Sequence, residues 1–356
     1  MLDGISGLAV LGVMAVHAEI RHLQWGYLGV DVFFTLSGFL ITTVLLEEWS
    51  ERGTVDFKKF YARRALRLLP ALSMLLIASL LPVNPISMVE RIKAALVALF
   101  YMSNWVRAFA PDFKMKALGH TWSLSMEEQF YLLWPILLMT MLRFEAVRKR
   151  IIPILSIAAI GCMSYRAMLW TAGRTPERLY NGLDTRADAL LTGCVLSLIL
   201  GFGIPGVLSS PRPIFKVIAL ILAAPLLVMV FRSQWNDPFM FMAGYSTVSI
   251  ASAAVIFWVL HSSSELLSAI LGFRPLVWTG RISYGLYLWH YPLFEFVRGL
   301  RLPDPIDVLC MFGGVFALAA LSFYGVERPF LRLKQRFKVP VPGTPSVLIA
   351  HADPSG

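Results

Sequence analysis

Long runs of apolar residues separated by short polar turns recur along most of the chain. The runs are too long, and alternate too little, to be strands of a membrane barrel. Because lipid offers no partner to backbone polar groups, we interpret them as membrane-spanning helices. The pattern predicts ten spans, at residues 4–22, 27–48, 66–83, 122–142, 151–171, 184–203, 214–231, 240–261, 283–300 and 306–326. The sequence therefore predicts an all-α integral membrane protein.

Composition supports this assignment and indicates an orientation. The chain is 57% hydrophobic and 15% charged, with a formal charge of +10. Its Lys and Arg residues cluster at the ends of the apolar runs, where they act as topology signals, so we do not expect nucleic-acid binding. The positive-inside rule places both termini in the cytoplasm, and the basic group at 148–150 supports this choice.

The connection over residues 85–121 lies outside in this orientation, although it contains five Lys and Arg residues. Its middle is apolar but short, which predicts a re-entrant or interfacial helix around residues 91–106. We expect one membrane domain over 1–338 and a short disordered tail over 339–356, which is rich in proline. The three cysteines lie far apart in apolar runs, and we expect no metal site.

Two ionisable residues in the first fifty positions lie where lipid disfavours charge. His17 and Asp31 are each seven residues from a turn centred near Gln24, so an antiparallel hairpin brings them to similar depth. Intramembrane ionisable groups usually face a polar interior and have a partner. We expect Asp31 to orient His17 as a general base. The alternative is a structural histidine that hydrogen-bonds between helices.

The start of the fourth predicted span carries two adjacent carboxylates, Glu127 and Glu128. Ser125 and Glu128 fit a capping box, which makes Glu128 a device for starting the helix. Glu127 has no such local role, so we expect it to be functional. His120, Trp122 and Ser123 precede the carboxylates, and we include the three as possible pocket residues together with Glu128.

A basic cluster lies at the cytoplasmic entry of the third predicted span and contains Arg63, Arg64 and Arg67. Arg64 and Arg67 are three residues apart and share a helical face, a geometry suited to gripping phosphate. The alternative is that all three anchor the span at the inner membrane surface. Three further residues are weaker pocket candidates: Ser37, Tyr287 and His290. For Ser37 and His290 we favour a packing role over a role in the site.

These residues lie in motifs that resemble the membrane acyltransferase-3 family, which includes O-antigen, peptidoglycan, exopolysaccharide and Nod-factor O-acetyltransferases. The matching stretches occur in family order over nearly the whole chain. They are LDGISGLA (2–9) followed by His17, GVDVFFTLSGFLIT (29–42), FYARRALR (60–67), WSLSMEEQFY (122–131), ISYGLYLWHYP (282–292) and VERP (326–329). Together they are highly specific, although each one alone is weak.

The resemblance implies a ten-helix enzyme of the bacterial inner membrane that passes an acetyl or similar group from cytoplasmic acyl-CoA to a hydroxyl of a glycan outside. It implies that His17 is the catalytic histidine, that Arg64 and Arg67 form the inner arginine motif, and that Glu127 is at the acidic position. One departure is Ser6, which stands where the family usually has a basic residue eleven positions before the histidine.

The expected function is therefore membrane O-acylation with acetyl-CoA as co-substrate, no bound cofactor, and a glycan or lipid-linked saccharide as acceptor. Two alternatives remain. A proton-coupled transporter or flippase would use the same buried charges as a relay, although we find none of the inverted repeats that would favour it. A catalytically impaired family member would follow from Ser6.

Overall fold

A computed structural model describes residues 1–82, 87–202, 213–232, 234–261 and 264–334, and the described residues form no strand. In chain order the helices are α1 (Leu2–His17), α2 (Leu28–Arg52), α3 (Phe57–Ser79), α4 (Met88–Leu99), α5 (Ser103–Phe109), α6 (Trp122–Arg143), α7 (Glu145–Arg148), α8 (Ile151–Thr171), α9 (Pro176–Asn181), α10 (Leu183–Gly201), α11 (Pro213–Arg232), α12 (Tyr245–His261), α13 (Glu265–Leu271), α14 (Arg274–Arg281), α15 (Ser283–Gly299), α16 (Ile306–Ser322) and α17 (Arg328–Lys334). The all-α prediction is confirmed. Residues 335–356 lie outside the described residues, and with them the predicted tail.

A helix occupies each of the ten predicted spans, but two boundaries differ in ways that affect the site. The first helix ends at His17 and not at residue 22, so His17 lies at a helix end. The third begins at Phe57 and not at residue 66, because Asp56 caps it. The Asp56 carboxylate accepts a hydrogen bond from the backbone N–H of Lys59 at 3.1 Å, which lowers the pKa of Asp56.

Four helices of the described residues are long and apolar enough to cross a membrane: Gln24–Arg52, Ile151–Thr171, Met240–His261 and Ile306–Leu333. The first, third and fourth of these run through adjoining 3₁₀ or π turns. Two shorter apolar helices are Leu2–His17 and Val217–Val230. These lengths and compositions are those of a membrane protein. The count of ten crossings and the cytoplasmic position of both termini stay predictions.

The connection after α3 contains two helices where one was predicted. Helix α4 begins at a capping box formed by Ser87 and Glu90 and ends at Leu99. Two residues later Tyr101 has a positive φ of 53°, which interrupts the helical path before α5. Helix α5 then covers the end of the predicted segment and extends to Phe109. The prediction of one helix around 91–106 is thus wrong in its continuity. Its position at the membrane surface stays a prediction.

Helix α2 lies at the centre of the bundle, where it packs against α1, α6, α10 and α12. Its contact with α10 is close because each of the two helices places a glycine against the backbone of the other. A Cβ added to Gly38 would lie 2.0 Å from the Leu190 carbonyl oxygen, and one added to Gly193 would lie 2.0 Å from the Thr35 oxygen. Neither position can hold a larger residue unless the helices separate, so α2 and α10 fix each other's register.

Candidate active site

Most of the predicted pocket residues line one cavity of about 300 Å³ between α2, α3, α6 and α15. From the predicted set it contacts Ser37, Arg63, Arg64, Arg67, Ser123, Glu127, Glu128 and Tyr287. Ser6 of α1 also lines it. Because α3 begins at Phe57, the three arginines lie on its first turns and enter the cavity. The cavity therefore unites three arginines with two carboxylates and eight hydroxyl groups.

The three arginines of α3 differ in their partners. Arg63 contacts the Glu48 carboxylate at 3.1 Å. Arg64 lies over the Tyr131 ring at 3.2 Å from its centroid, and its Nε is 3.1 and 3.0 Å from the two Glu128 carboxylate oxygens. Arg67 is exposed and makes no hydrogen bond or ion pair within the described part of the chain. Arg67 is thus the cation of this set that is available to an anionic ligand.

The two adjacent carboxylates of α6 have different environments. Glu127 accepts a hydrogen bond from the Ser37 hydroxyl at 2.8 Å, so Ser37 is a pocket residue and not only a packing residue. Glu128 does not form the predicted capping box, because α6 begins at Trp122 and the Ser125 hydroxyl donates to the Thr121 carbonyl. Its carboxylate is instead the counter-ion of Arg64. The prediction that Glu128 only starts the helix is therefore wrong.

A second group of polar side chains lies beyond the cavity and contains three histidines. The ring centroids of His17 and His290 are 5.0 Å apart, and those of His120 and His290 are 5.3 Å apart. Tyr291 packs against His17 and His120, each at 5.3 Å. We call His17, His120, His290 and Tyr291 the histidine cluster. Within the described residues, no group of three His, Cys, Asp or Glu side chains has the geometry to hold a metal ion.

Hydrogen bonds define the tautomers of the two central histidines. Nδ1 of His290 donates to the Tyr287 carbonyl at 2.6 Å, which leaves its Nε2 as an acceptor. Nδ1 of His17 donates to the Val13 carbonyl at 2.9 Å and lies 3.2 Å from that Nε2. The proton of His17 is therefore on Nδ1, and its Nε2 keeps a lone pair. Burial lowers the pKa of the third histidine, His120, to about 3, with smaller contributions from His17 and Arg107.

Asp31 lies apart from the histidine cluster. Its carboxylate accepts a hydrogen bond from Arg186 of α10 at 2.6 Å, and both side chains are fully buried. The guanidinium of Arg186 also stacks on Tyr245 at 3.6 Å from the ring centroid. The partners of His17 are Val13 and His290, so the predicted pairing of His17 with Asp31 is not the one formed. Matched depth on a hairpin does not fix which way two side chains point.

Ser123 and Tyr287 connect the cavity to the histidine cluster. Their hydroxyl oxygens are 2.5 Å apart, and the Tyr287 hydroxyl is 2.9 Å from the His120 carbonyl oxygen. The Tyr287 ring is 5.4 Å from that of His290. Trp122, by contrast, is buried against Tyr180 at 4.7 Å and does not line the cavity. The hydroxyl groups of Ser123 and Tyr287 therefore lie between the arginines of the cavity and the histidine cluster.

Sequence reasoning missed several residues of these two regions. Arg186 and Arg107 are charged residues in or near predicted spans, and that signal was present in the sequence. Tyr291 directly follows His290 in one motif. Glu327, in the VERP motif, lies in a π turn and accepts a hydrogen bond from Ser322 at 3.0 Å. No spacing rule indicates the partners of Arg107 and Arg186, because each of these two contacts joins different helices.

Comparison with known proteins gives a consistent picture. Residues 2–324 match a family described as an acyltransferase domain. The peptidoglycan O-acetyltransferase OatA of Listeria monocytogenes is 33% identical over 345 residues, which are 92% of this chain and 55% of that protein. The O-acetyltransferase OatA of Staphylococcus aureus is 32% identical over 342 residues, which are 92% and 56%. The chain thus spans about half the length of these relatives. No solved structure matches it.

Proposed function

Because this chain belongs to the acyltransferase family that its residues 2–324 match, we propose that it is a membrane O-acetyltransferase acting on a cell-wall glycan. The curated relatives are named for O-acetylation, and one is named for peptidoglycan. We further propose that the donor is cytoplasmic acyl-CoA and that the acceptor is a glycan or a lipid-linked saccharide on the far side of the bacterial inner membrane.

One observation carries this proposal: the arginine-lined cavity and the histidine cluster meet at Ser123 and Tyr287. In an acyl transfer from CoA, cations are needed where the phosphates bind and a base is needed where the hydroxyl reacts. The cavity begins near Arg67 and reaches Tyr287, whose ring packs on His290. We place the CoA phosphates at Arg67, with support from Arg63 and Arg64, and the thioester near Ser123.

His17 is the proposed general base. Its Nε2 lone pair removes the proton of the acceptor hydroxyl, and the oxygen attacks the thioester carbonyl. The tetrahedral intermediate then expels the CoA thiolate, which receives the proton from the His17 imidazolium. His290 orients the ring through its contact with Nδ1. No step requires an acyl-enzyme, because the acceptor hydroxyl can attack the thioester directly. Acyl-CoA reaches His17 through the cavity, and the acceptor reaches it from the side of the histidine cluster.

Glu127 and Asp31 are proposed to act on the site in different ways. The Glu127 carboxylate lines the cavity and is held by Ser37, so it can position the pantetheine arm, which carries amide N–H donors. Asp31 holds Arg186 and thereby the packing of α2 against α10. We therefore treat Asp31 as a residue that supports the site from outside it.

Ser6 does not leave the cavity without cations. It lines the cavity together with Arg63, Arg64 and Arg67, so three guanidinium groups already face the space where a basic residue at position 6 would point. We propose that these arginines take the place of the missing basic residue. The chain is then an active family member.

The test is transfer of labelled acetyl from acetyl-CoA to peptidoglycan fragments by the purified chain in detergent. We expect wild-type protein to label the glycan and the His17→Ala variant to lose this activity. Absence of transfer by wild-type protein to any glycan, or full transfer by His17→Ala, would contradict the proposal. Transport of the same glycan across proteoliposomes without acetylation would support the transporter alternative instead.

A further inference from the structure

Arg107 of α5 lies beside the histidine cluster, near Gly119, and does not line the cavity. Its Nε donates a hydrogen bond to the Asn181 side-chain oxygen at 3.0 Å. Asn181 is itself held, because its amide donates to the Glu177 carbonyl at 2.7 Å and its side chain is buried. Arg107 is half-buried and close enough to His17 and His120 to interact with both electrostatically. The guanidinium is therefore fixed in place at the proposed point of reaction.

The charge of Arg107 has no counter-ion among the described carboxylates. This sets it apart from three arginines of the nearby helices α8, α9 and α10, each of which has a counter-ion. Those pairs are Arg166 with Asp188 at 3.0 Å, Arg178 with Asp184 at 2.5 Å and Arg186 with Asp31 at 2.6 Å. A partly buried cation without a counter-ion is costly unless an anion reaches it.

Arg107 and Tyr291 approach the same glycine, Gly119. A Cβ added to Gly119 would lie 3.3 Å from Nη1 of Arg107 and 3.7 Å from the Tyr291 hydroxyl oxygen, so both hydrogen-bond donors lie on one side of this residue. Nη1 makes no hydrogen bond within the described residues, whereas Nε donates to Asn181. The guanidinium nitrogen and the phenol hydroxyl can therefore donate to the oxygens of one anion.

We propose that Arg107, with Tyr291, binds an anionic group of the acceptor, a carboxylate or a phosphate, and so holds the reacting hydroxyl at His17. This inference rests on the proposed O-acetyltransferase function, and it names the acceptor class: an acidic saccharide or a saccharide linked to lipid through phosphate. A neutral glycan would leave the Arg107 charge unpaired when bound. The site therefore selects acidic acceptors over neutral ones.

The experiment compares Arg107→Gln with wild-type protein in acetyl transfer to matched acceptors. One pair is a carboxylated disaccharide and the same sugar with its carboxyl reduced to an alcohol. The other is a saccharide with and without a lipid-linked diphosphate. We expect the substitution to raise KM about tenfold or more for the anionic member of one pair, as for loss of a charge-assisted hydrogen bond, and to leave the neutral member unchanged.

The pair that responds identifies the anion as carboxylate or phosphate. Arg107→Lys should restore part of the preference, and Arg174→Gln, which removes an exposed arginine elsewhere, should keep all of it. Equal effects of Arg107→Gln on anionic and neutral acceptors would show a structural role only and would overturn the proposal. The proposal would also be overturned if Arg107→Gln and wild-type protein showed the same preference for anionic over neutral acceptors.

A second variant covers the case in which Arg107→Gln does not fold. Asn181→Asp keeps the shape of the side chain and places a carboxylate 3.0 Å from Nε of Arg107, which supplies an internal counter-ion. We expect it to lose the same preference. Equilibrium binding of the acidic disaccharide, measured by calorimetry without acetyl-CoA, separates the two proposals. Binding that depends on Arg107 without any acetyl transfer would defeat the proposed function alone, whereas transfer with binding insensitive to Arg107 would defeat this inference alone.

Discussion

The arginines inside this bundle fall into two sets that differ in their partners. Arg166 and Arg186 are fully buried, and each contacts an aspartate of another helix. Arg67 and Arg107 are less buried, and neither forms an ion pair within the described residues. A buried pair supplies its own counter-charge, so it belongs to the fold. The unpaired arginines lie at the cavity and at the histidine cluster, where we propose that ligands supply their counter-charge.

The two unpaired arginines also divide the proposed reaction between them. Arg67 stands at the cavity, on the side of the CoA phosphates, and Arg107 stands at the histidine cluster, on the side of the acceptor. Ser123 and Tyr287 lie between the two regions. The distinction between paired and unpaired charge therefore predicts which substitutions weaken the fold and which weaken catalysis or substrate binding.

The most severe test of this distinction is His17→Ala. Loss of a general base should lower kcat by about 10²- to 10⁴-fold, because the acceptor hydroxyl then keeps its proton. The measurement is acetyl transfer from labelled acetyl-CoA at saturating substrate. The unfolding temperature should fall only modestly, because His17 is the last residue of α1 and its removal leaves the rest of that helix intact.

His261→Ala is the matched control for this prediction. His261 also lies at a helix end, and its Nδ1 donates to a carbonyl four residues earlier at 2.9 Å, as Nδ1 of His17 does. It lies outside the cavity and the histidine cluster, so its loss should leave transfer within a few-fold of wild type. Equal losses in the two variants would show that the effect of His17→Ala is structural.

The second test removes one member of a buried pair. Asp31→Ala should lower the free energy of unfolding by about 3–5 kcal/mol, because it leaves Arg186 buried without a counter-ion. The double variant Asp31→Ala with Arg186→Met should recover most of this loss. Both are measured by denaturant unfolding in detergent. If the Asp31→Ala protein is as stable as wild type but its activity is lowered more than a hundredfold, Asp31 has a catalytic role and not a structural one.

The helices could be predicted from the sequence because lipid imposes one solution on every long apolar run. The same constraint drew attention to His17, Asp31 and Glu127, since polar groups in such runs need a reason. The partners of these residues could not be predicted. Asp31 meets a residue 155 positions away in the chain, and only the packing of α2 against α10 brings them together.

Local patterns misled where tertiary contacts override them. Ser125 and Glu128 have the spacing of a capping box, yet α6 begins three residues before Ser125 and Glu128 turns to Arg64 of α3. The aromatic residues around His290 predict that it packs among them, and it does, but its Nε2 also contacts His17. Each correction concerns a contact between two helices, which a pattern within one helix does not encode.

The third test concerns the unpaired arginine of the cavity. Arg67→Gln should raise KM for acetyl-CoA about tenfold with a smaller change in kcat, since it removes a charge-assisted contact to phosphate. Arg143→Gln, at the exposed end of α6, is the control for loss of one positive charge. A matching rise in KM for Arg143→Gln would mean that general charge, and not the site, attracts the donor. A loss of stability in Arg67→Gln would place Arg67 among the structural arginines.

The smallest expected effect comes from adding a cation to the cavity. Ser6→Arg should lower KM for acetyl-CoA about two- to fivefold, because a further guanidinium joins a partly solvated site where each charge contributes about 0–1 kcal/mol. Ser6→Met adds comparable bulk without charge, so it should leave KM unchanged or raise it. A gain of a hundredfold or more with Ser6→Arg would show that the three arginines of α3 do not replace the missing basic residue. The natural chain would then be an impaired enzyme. The lack of an ion pair at Arg67 would then result from the missing basic residue at position 6 and would not mark a phosphate-binding site.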